Sequence, residues 1–295
     1  MRVLVLGATG MLGADLLAEW HGNRRRASDT RDELIPAGAK DADIRDAAQV
    51  EALVERSNPH WIVLCAAYTD VDGCETNREL AFAVNAKGPE NVARSAEKIR
   101  ANVFLVSTDY VFDGKGARPY ETSDPVAPIN VYGASKAAGE EALRNNCSKW
   151  CIGRTSWLFG VRGPSFPDKI LKAAAAKPEL SVVNDQVGSP TYTRDLAVAI
   201  RNLVQKEASG MVHINNHGVC SWYDFAREIL AQSGLSNPVH PISTDQSARP
   251  AQRPNYSVMS PASLHIRGIR LRPWQEALRA FLAERKAAAA ANCTP

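Results

Sequence analysis

Tyr132 and Lys136 stand four residues apart in the stretch NVYGASKAAGEEAL, and no other pair in the chain is better suited to proton chemistry. Four residues make about one helical turn, so the phenol and the ammonium project from one face. An ammonium beside a phenol favours phenolate and pulls down a pKa that is ~10 in the free side chain. A tyrosine tuned in this way is a general acid or base near neutral pH. Upstream, the apolar run NVFLVSTDYVFDG passes through Ser107, Thr108 and Asp109. A hydroxyl at Thr108 would hold a substrate carbonyl against the phenol. The Tyr/Lys spacing recurs by chance on surface helices and gains its weight from the N-terminus.

There the chain reads MRVLVLGATGMLGADLLAEW. Val3–Leu6 is a short apolar run fit for a buried parallel strand, and a helical pattern follows. Between them lie Gly7, Gly10 and Gly13, with Thr9, Met11 and Leu12 interleaved. Glycines at this point permit a tight strand-to-helix turn and close approach of backbone to a pyrophosphate. Free amides and the helix dipole would favour the phosphates. The spacing is G-x-x-G-x-x-G rather than the dinucleotide fingerprint G-x-G-x-x-G, so the turn alone could also be a glycine-rich connection without a ligand.

These residues need a scaffold, and the apolar periodicity supplies one. Strands are expected at Arg2–Leu6, Trp61–Cys65, Val103–Ser107, Cys151–Arg154 and Val212–Asn215. Helices are expected at Met11–Trp20, Ala47–Glu55, Arg78–Lys87, Pro89–Ile99, Tyr132–Arg144 and Thr193–Val204. Such alternation predicts an α/β fold, a doubly wound parallel sheet of Rossmann type with helices on both faces. Ligands in such sheets bind beyond the carboxyl ends of the strands, where Gly7, Ala66 and Thr108 fall. After Asn216 the pattern changes. Ser221, with Asp224 three residues on, opens a helix through Ala231, and a last helix is expected near Pro273–Arg285. Residues 1–155 therefore read as a cofactor-binding domain, to which 191–217 returns. Residues 156–295 read as a smaller C-terminal substrate lobe, whose alanine-rich end, 287–295, is expected to fray.

Composition excludes several classes. The 295 residues are 45% hydrophobic and 23% charged, ample for a large core. A net charge of +3 gives no case for nucleic acid. No stretch approaches the ~20 apolar residues of a membrane span, and the N-terminus enters a strand directly. The six cysteines show no metal-type spacing; Cys65, Cys147, Cys151 and Cys220 read as small buried hydrophobes. A reducing cytoplasm suits them.

The glycine turn and the Tyr/Lys pair resemble the extended short-chain dehydrogenase/reductase family. STDYVFDG (107–114), NVYGASKAAGE (130–140), RTSWLFG (154–160), NDQVGSPTYTRDLA (184–197) and SWYDFA (221–226) look like its dTDP-4-dehydrorhamnose reductase branch. This resemblance runs from Met1 to about Arg272. It implies reduction of a C4 keto group on a nucleotide-bound 6-deoxy sugar by NADPH, with NADH as an alternative. It also implies roles. Thr108, Tyr132 and Lys136 are catalytic. Gly7, Thr9, Gly10, Met11, Leu12, Asp43, Ile44, Ala66, Ala67 and Tyr68, with Tyr132 and Lys136, hold the cofactor. Thr69, Val71, Thr108, Asp109, Trp157, Gln186 and Arg253 hold the nucleotide sugar, with the Thr191–Tyr192 pair completing the pocket. Several of these have plain alternatives: Thr69 as a turn hydroxyl, Trp157 as core, Arg253 as a surface charge, Asn85 as a purely structural amide. Some relatives form a magnesium-bridged dimer through glutamates. The matching positions here are Asp15 and Arg194, and an arginine is a poor magnesium ligand, so no metal site is expected. A monomer or weak homodimer is the expected state.

One region departs from the pattern. HGNRRRASDTRDELIPAGAKDADIRD should hold a second strand ending at the residue that reads the adenosine ribose, yet no clear apolar run marks it. Asp29 would favour NAD, whereas Arg24, Arg25, Arg26 or Arg31 would grip a 2′-phosphate. Epimerases and dehydratases share the glycine turn and the Tyr/Lys pair. In dehydratases, however, an acidic pair follows the hydroxyl residue, and here Asp109 is followed by Tyr110. A non-catalytic regulatory subunit on the same fold is a further alternative, opposed by the intact Thr108, Tyr132 and Lys136.

Overall fold

The computed structural model describes residues 1–23 and 32–292. The chain begins with β1 (Arg2–Leu6), α1 (Met11–Asn23) and β2 (Glu33–Ala37). Next come α2 (Ala47–Ser57), β3 (Trp61–Leu64), the short α3 (Val71–Thr76), α4 (Arg78–Phe82) and α5 (Gly88–Lys98). A π-helical turn, Ala83–Lys87, joins α4 to α5. Then follow β4 (Asn102–Thr108), one 3-10 turn at Asp109–Val111, α6 (Val131–Asn146) and β5 (Trp150–Thr155).

Six strands form one parallel sheet once β10 (Gly210–His213) joins it, in the order β10-β5-β4-β3-β1-β2. The order reverses between β1 and β3, and that switch point is where a crevice opens beyond the strand ends. Alternation along β1 sends Val3 and Val5 to one core and Leu4 and Leu6 to the other. The first core lies under α1 and α8 (Thr193–Gln205), through Leu12, Leu16, Leu196 and Ile200. The second lies under α2, α5 and α6, through Val50, Leu53, Val92 and Leu143. Strands buried on both faces read as unbroken apolar runs, which is why β1, β3 and β4 are visible in the sequence.

Strand β2 is the element that sequence reading left open. It is short, lies at the sheet edge and carries Pro36, which an edge strand tolerates. Its position at Glu33–Ala37 moves the ribose-reading end of the strand to Ala37–Gly38. Arg24, Arg25, Arg26, Asp29 and Arg31 lie outside the described residues.

The remaining elements are β6 (Leu158–Phe159), α7 (Phe166–Ala176), β7 (Leu180–Val183), β8 (Val187–Gly188), β9 (Thr191–Tyr192), β11 (Cys220–Ser221), α9 (Trp222–Gln232), β12 (Val239–Ile242), α10 (Thr244–Ser247), α11 (Ala262–His265) and α12 (Trp274–Asn292). A largely aromatic core of Phe159, Tyr192, Phe225, Trp274 and Phe281 unites α7, α9 and α12. Ser221 and Asp224 form the expected capping box at the start of α9. The alanine-rich end does not fray at Ala287: α12 continues to Asn292, as befits the residue with the strongest helix propensity. Among the described residues, no helix is long and apolar enough to cross a membrane.

Candidate active site

The turn after β1 is built by close approach. Gly7 has φ of +87°, and a Cβ there would lie 2.5 Å from the Ala66 amide nitrogen. A Cβ on Gly13 would run into the Gly7 carbonyl. The first turn of α1 therefore sits directly against the ends of β1 and β3, with its amides facing the crevice. A cleft of about 440 Å³ opens there, lined by Gly7, Thr9, Gly10, Gly38, Ala39, Asp43, Ile44, Arg45, Ala66 and Ala67. A second cleft of about 520 Å³ adjoins it, sharing Gly7, Gly10, Cys65 and Ala67. Its walls include Met11, Leu12, Thr69, Val71, Thr108, Asp109, Tyr110, Tyr132, Lys136, Trp157, Phe166, Lys169 and Trp222.

Helix α6 delivers Tyr132 and Lys136. Asn130 caps it, accepting from the Gly133 amide at 2.7 Å. Tyr132 meets the Tyr110 ring edge-on at 5.9 Å and 76° and lines the cleft together with Thr108. Lys136 is 4% exposed and donates to the Val106 carbonyl at 2.7 Å. The expected pull of Lys136 on the phenol is not found. Burial is the largest influence and holds Tyr132 above its ordinary value; Asp109 adds to this, and the Thr108 hydroxyl opposes it. Burial also brings Lys136 down to about 8, against the attraction of Glu140. Helical spacing establishes which face the two share, but desolvation decides the sign of the shift.

A buried network braces this geometry. Glu140, one turn beyond Lys136, accepts from Ser107 at 2.5 Å and from Arg154 at 2.9 and 2.7 Å. Glu140 and Arg154 are 1% and 3% exposed. Arg154 also lies over the Phe112 ring, 5.0 Å from its centre. Helix α6 is thus fastened to β4 by two successive bonds, Lys136 to Val106 and Glu140 to Ser107. Glu140→Gln leaves a buried guanidinium without its counter-charge, and such losses cost about 3–5 kcal/mol. Denaturant unfolding should show this fall, and an unchanged midpoint would remove the network from the stability argument.

Asn85 is structural and central. Its side chain accepts from the Tyr68 amide at 2.8 Å and donates to the Tyr68 carbonyl at 2.9 Å and to Ser135 at 3.0 Å. It sits on the π-helical turn, which tilts that amide towards both α6 and the loop after β3.

Comparison with known proteins places this arrangement. A family model described as RmlD substrate binding domain matches residues 1–287. The chain belongs to this family. Among its relatives, the dTDP-4-dehydrorhamnose reductase of Mycobacterium tuberculosis is 40% identical over 290 residues, covering 96% of this chain and 92% of that protein. The spore coat polysaccharide biosynthesis protein SpsK of Bacillus subtilis is 40% identical over 287 residues, covering 97% and 99%. The crystal structure of dTDP-4-dehydrorhamnose reductase from Bacillus anthracis in complex with NADP superposes with a TM-score of 0.91 at 38% identity, covering 96% and 99%.

Within this RmlD-family chain, most of the expected residues converge. Gly7, Thr9, Gly10, Asp43, Ile44, Ala66 and Ala67 line the first cleft, and Met11, Leu12, Thr69, Val71, Thr108, Asp109, Tyr132, Lys136 and Trp157 line the second. Five expected residues stand elsewhere. Thr191 is fully buried and its hydroxyl donates to the Ser189 carbonyl at 3.4 Å. The Tyr68 main chain is clasped by Asn85, and Tyr68 is on neither wall. Gln186 is 5% exposed and donates to Thr244 at 3.0 Å. Tyr192 belongs to the aromatic core and hydrogen-bonds Glu284. Arg253 forms a two-point ion pair with Asp72 of α3, both contacts at 2.9 Å, which holds the Asp72 carboxyl down at about 2. Arg249 reaches the same carboxylate at 3.1 Å. At the positions matching the relatives' metal glutamates, Asp15 is bound by Thr193 and Arg162, and Arg194 by Glu19 and Glu284. Among the described residues, no group of three or more His, Cys, Asp or Glu is placed to hold a metal ion.

Trp222 and Phe166 were missed by the sequence reading. Trp222 stacks on Trp157 at 3.6 Å and 7°, and Phe166 lies 4.5 Å from Trp222. The motif SWYDFA carried the signal, because an aromatic residue directly after the N-cap of α9 stands at a helix end facing the cleft.

Proposed function

We propose that this chain reduces the C4 keto group of dTDP-4-dehydro-L-rhamnose to give dTDP-L-rhamnose, using NADPH. The observation that carries this reading is the meeting of Thr108, Tyr132, Lys136 and Trp157 on one wall system beyond the glycine turn. The glycine turn fits a dinucleotide pyrophosphate, since it lets the start of α1 close onto the ends of β1 and β3, where side chains at Gly7 and Gly13 would strike backbone. Bound NADPH supplies the hydride for C4. Tyr132 gives its proton to the carbonyl oxygen, and its raised pKa keeps it in the acid form that reduction requires. Thr108 hydrogen-bonds the same oxygen. Lys136 presents a buried ammonium, fixed by Val106, to the nicotinamide ribose. Trp157 and Trp222 give the sugar an apolar wall. Such positioned acid catalysis contributes about 10²–10⁴-fold.

Residues 1–155 with 191–217 form the cofactor unit, and 156–190 with 218–292 form the sugar lobe. All groups named lie on one chain, so a monomer or weak homodimer suffices. Five free cysteines among the described residues suit a reducing cytoplasm.

The product dTDP-L-rhamnose should form with one NADPH oxidised per sugar when dTDP-4-dehydro-L-rhamnose is generated in situ. An epimerase or a regulatory subunit would consume no stoichiometric reductant, and that result sinks the reading. NADPH should be preferred modestly over NADH. At the end of β2 the cleft is lined by Ala37, Gly38 and Ala39, the nearby Asp41 carboxylate is taken by the Gly38 amide at 2.7 Å, and Arg45 lines the cleft half-exposed while paired with Asp43. A strong NADH preference in kcat/KM would contradict this.

A further inference from the structure

Among the described residues, the charged side chains on the wall of the second cleft are Asp109, Lys136 and Lys169. Two of them are engaged within the protein. Asp109 accepts from the hydroxyls of Thr108 and Ser257, and Lys136 donates to the Val106 carbonyl. Lys169 is different. It is exposed, and its ammonium makes no hydrogen bond or ion pair with any described residue. Its neighbour Asp168 does not neutralise it, because that carboxylate is taken by Ser165 at 2.6 Å and by Arg285 at 2.8 Å. The other cations about the two clefts, Arg45 and Arg253, are paired with Asp43 and Asp72.

Lys169 lies in the first turn of α7, three residues after Phe166, so the two share a face of the helix. The Phe166 ring lies 4.5 Å from Trp222, and Trp222 stacks on Trp157. The wall therefore runs from Trp157 through Trp222 and Phe166 to Lys169, from apolar surface to cation. A nucleotide sugar has the same order of chemistry. Its pyranose presents apolar faces, C1 stands across the ring from C4, and the diphosphate begins at C1. With C4 at Tyr132 and the ring on Trp157, the diphosphate leaves on the side away from the reacting carbon. An anion there needs a cation whose charge is not already neutralised.

We propose that Lys169 binds the diphosphate of the nucleotide sugar. This rests on the reductase reading above. An ammonium is a compact point charge on a flexible stem, and it reaches phosphate oxygens from a range of angles. Recruiting Arg253 instead would first break its two-point pair with Asp72, whereas Lys169 exchanges only water for the ligand. The two diphosphates of the ternary complex then have separate partners. Backbone amides at the glycine turn serve the cofactor, and Lys169 serves the sugar nucleotide.

The test measures the Kd of dTDP and of thymidine by calorimetry and the Kd of NADPH by fluorescence titration. Wild type is compared with Lys169→Met, Lys169→Glu and Lys169→Arg. Methionine keeps an apolar stem and removes the charge. Lys169→Met should weaken dTDP about five- to tenfold, as expected for one charge-assisted hydrogen bond on a partly open wall. Lys169→Glu should weaken it further, and Lys169→Arg should recover most of the loss. The gap between wild type and Lys169→Met should narrow as salt is raised, because screening weakens the attraction that only wild type has. Thymidine, which lacks phosphates, and NADPH should bind all four proteins alike. The KM for dTDP-4-dehydro-L-rhamnose should rise in step with the dTDP Kd. An unchanged dTDP Kd in both Lys169→Met and Lys169→Glu overturns the assignment. An equal loss of thymidine or NADPH affinity overturns it too, since the cleft as a whole would then be disturbed. A wild-type protein that binds no dTDP would sink the reductase reading itself, and this inference with it.

Discussion

Tyr132→Phe should lower kcat by roughly 10²–10⁴-fold while leaving the fold and NADPH affinity in place. The expectation rests on what the phenylalanine keeps. The ring packs edge-on against Tyr110 at 5.9 Å, and that contact survives. Only the hydroxyl goes, and with it the proton for the substrate oxygen. Because burial holds the phenol above its ordinary value, Tyr132 stays protonated throughout the working range. Its own titration therefore leaves no limb at neutral pH, and any limb near neutrality belongs to neighbours such as Asp109 and Lys136. Steady-state kinetics beside a fluorescence titration of NADPH would check both halves. A variant retaining more than about a tenth of wild-type kcat would remove Tyr132 from the role of acid, since that loss is below the usual range for such catalysis.

The same residue shows what the sequence can and cannot say. Local chemistry is legible: β1 is an uninterrupted apolar run, Gly7 and Gly13 stand where backbone must touch backbone, and Ser221 and Asp224 announce a capping box. Each depends on residues a few positions apart. Strand β2 was hard to see because an edge strand with a proline has little apolar pattern to show. Helix α7 and the Trp222–Phe166 contact were missed because both acquire meaning only when the sugar lobe folds over the cleft. Depth of burial is likewise a property of the assembled fold. The Tyr132–Lys136 spacing is visible in one line of sequence, but the reversed sign of the phenol shift is not. Arg253 illustrates the converse. Its residue type suits a diphosphate, yet its guanidinium is committed to Asp72, and charge complementarity within the fold competes with charge complementarity to a ligand.

Trp157→Ala should damage sugar use and stability together, and cofactor binding little. Trp157 lines the cleft, and one face of its ring is covered by Trp222 at 3.6 Å. A Cβ on Gly188 would lie 2.6 Å from the indole, so the ring is also wedged against β8. Its φ of +49° places a bulky residue in the left-handed region, a cost that surrounding packing must offset. An indole held this firmly is a rigid wall for a pyranose, and misplacing a substrate by an ångström can cost ~10²-fold in rate. Truncation also leaves Trp222 without its partner. Fully burying and then truncating a tryptophan costs ~3–5 kcal/mol, and the partly exposed Trp157 should cost less. The expected pattern is therefore a lower Tm, a drop of about 10²-fold in kcat/KM for the sugar, and an NADPH Kd close to wild type. Trp157→Phe, which retains a flat ring against Trp222, should recover part of both losses. If Trp157 were only core, Trp157→Ala would lower Tm while the folded fraction kept normal sugar kinetics, and Trp222→Ala would behave in the same way. Sugar kinetics at a temperature where each variant is fully folded separate the two, because stability then no longer limits the rate and only contact with the sugar can.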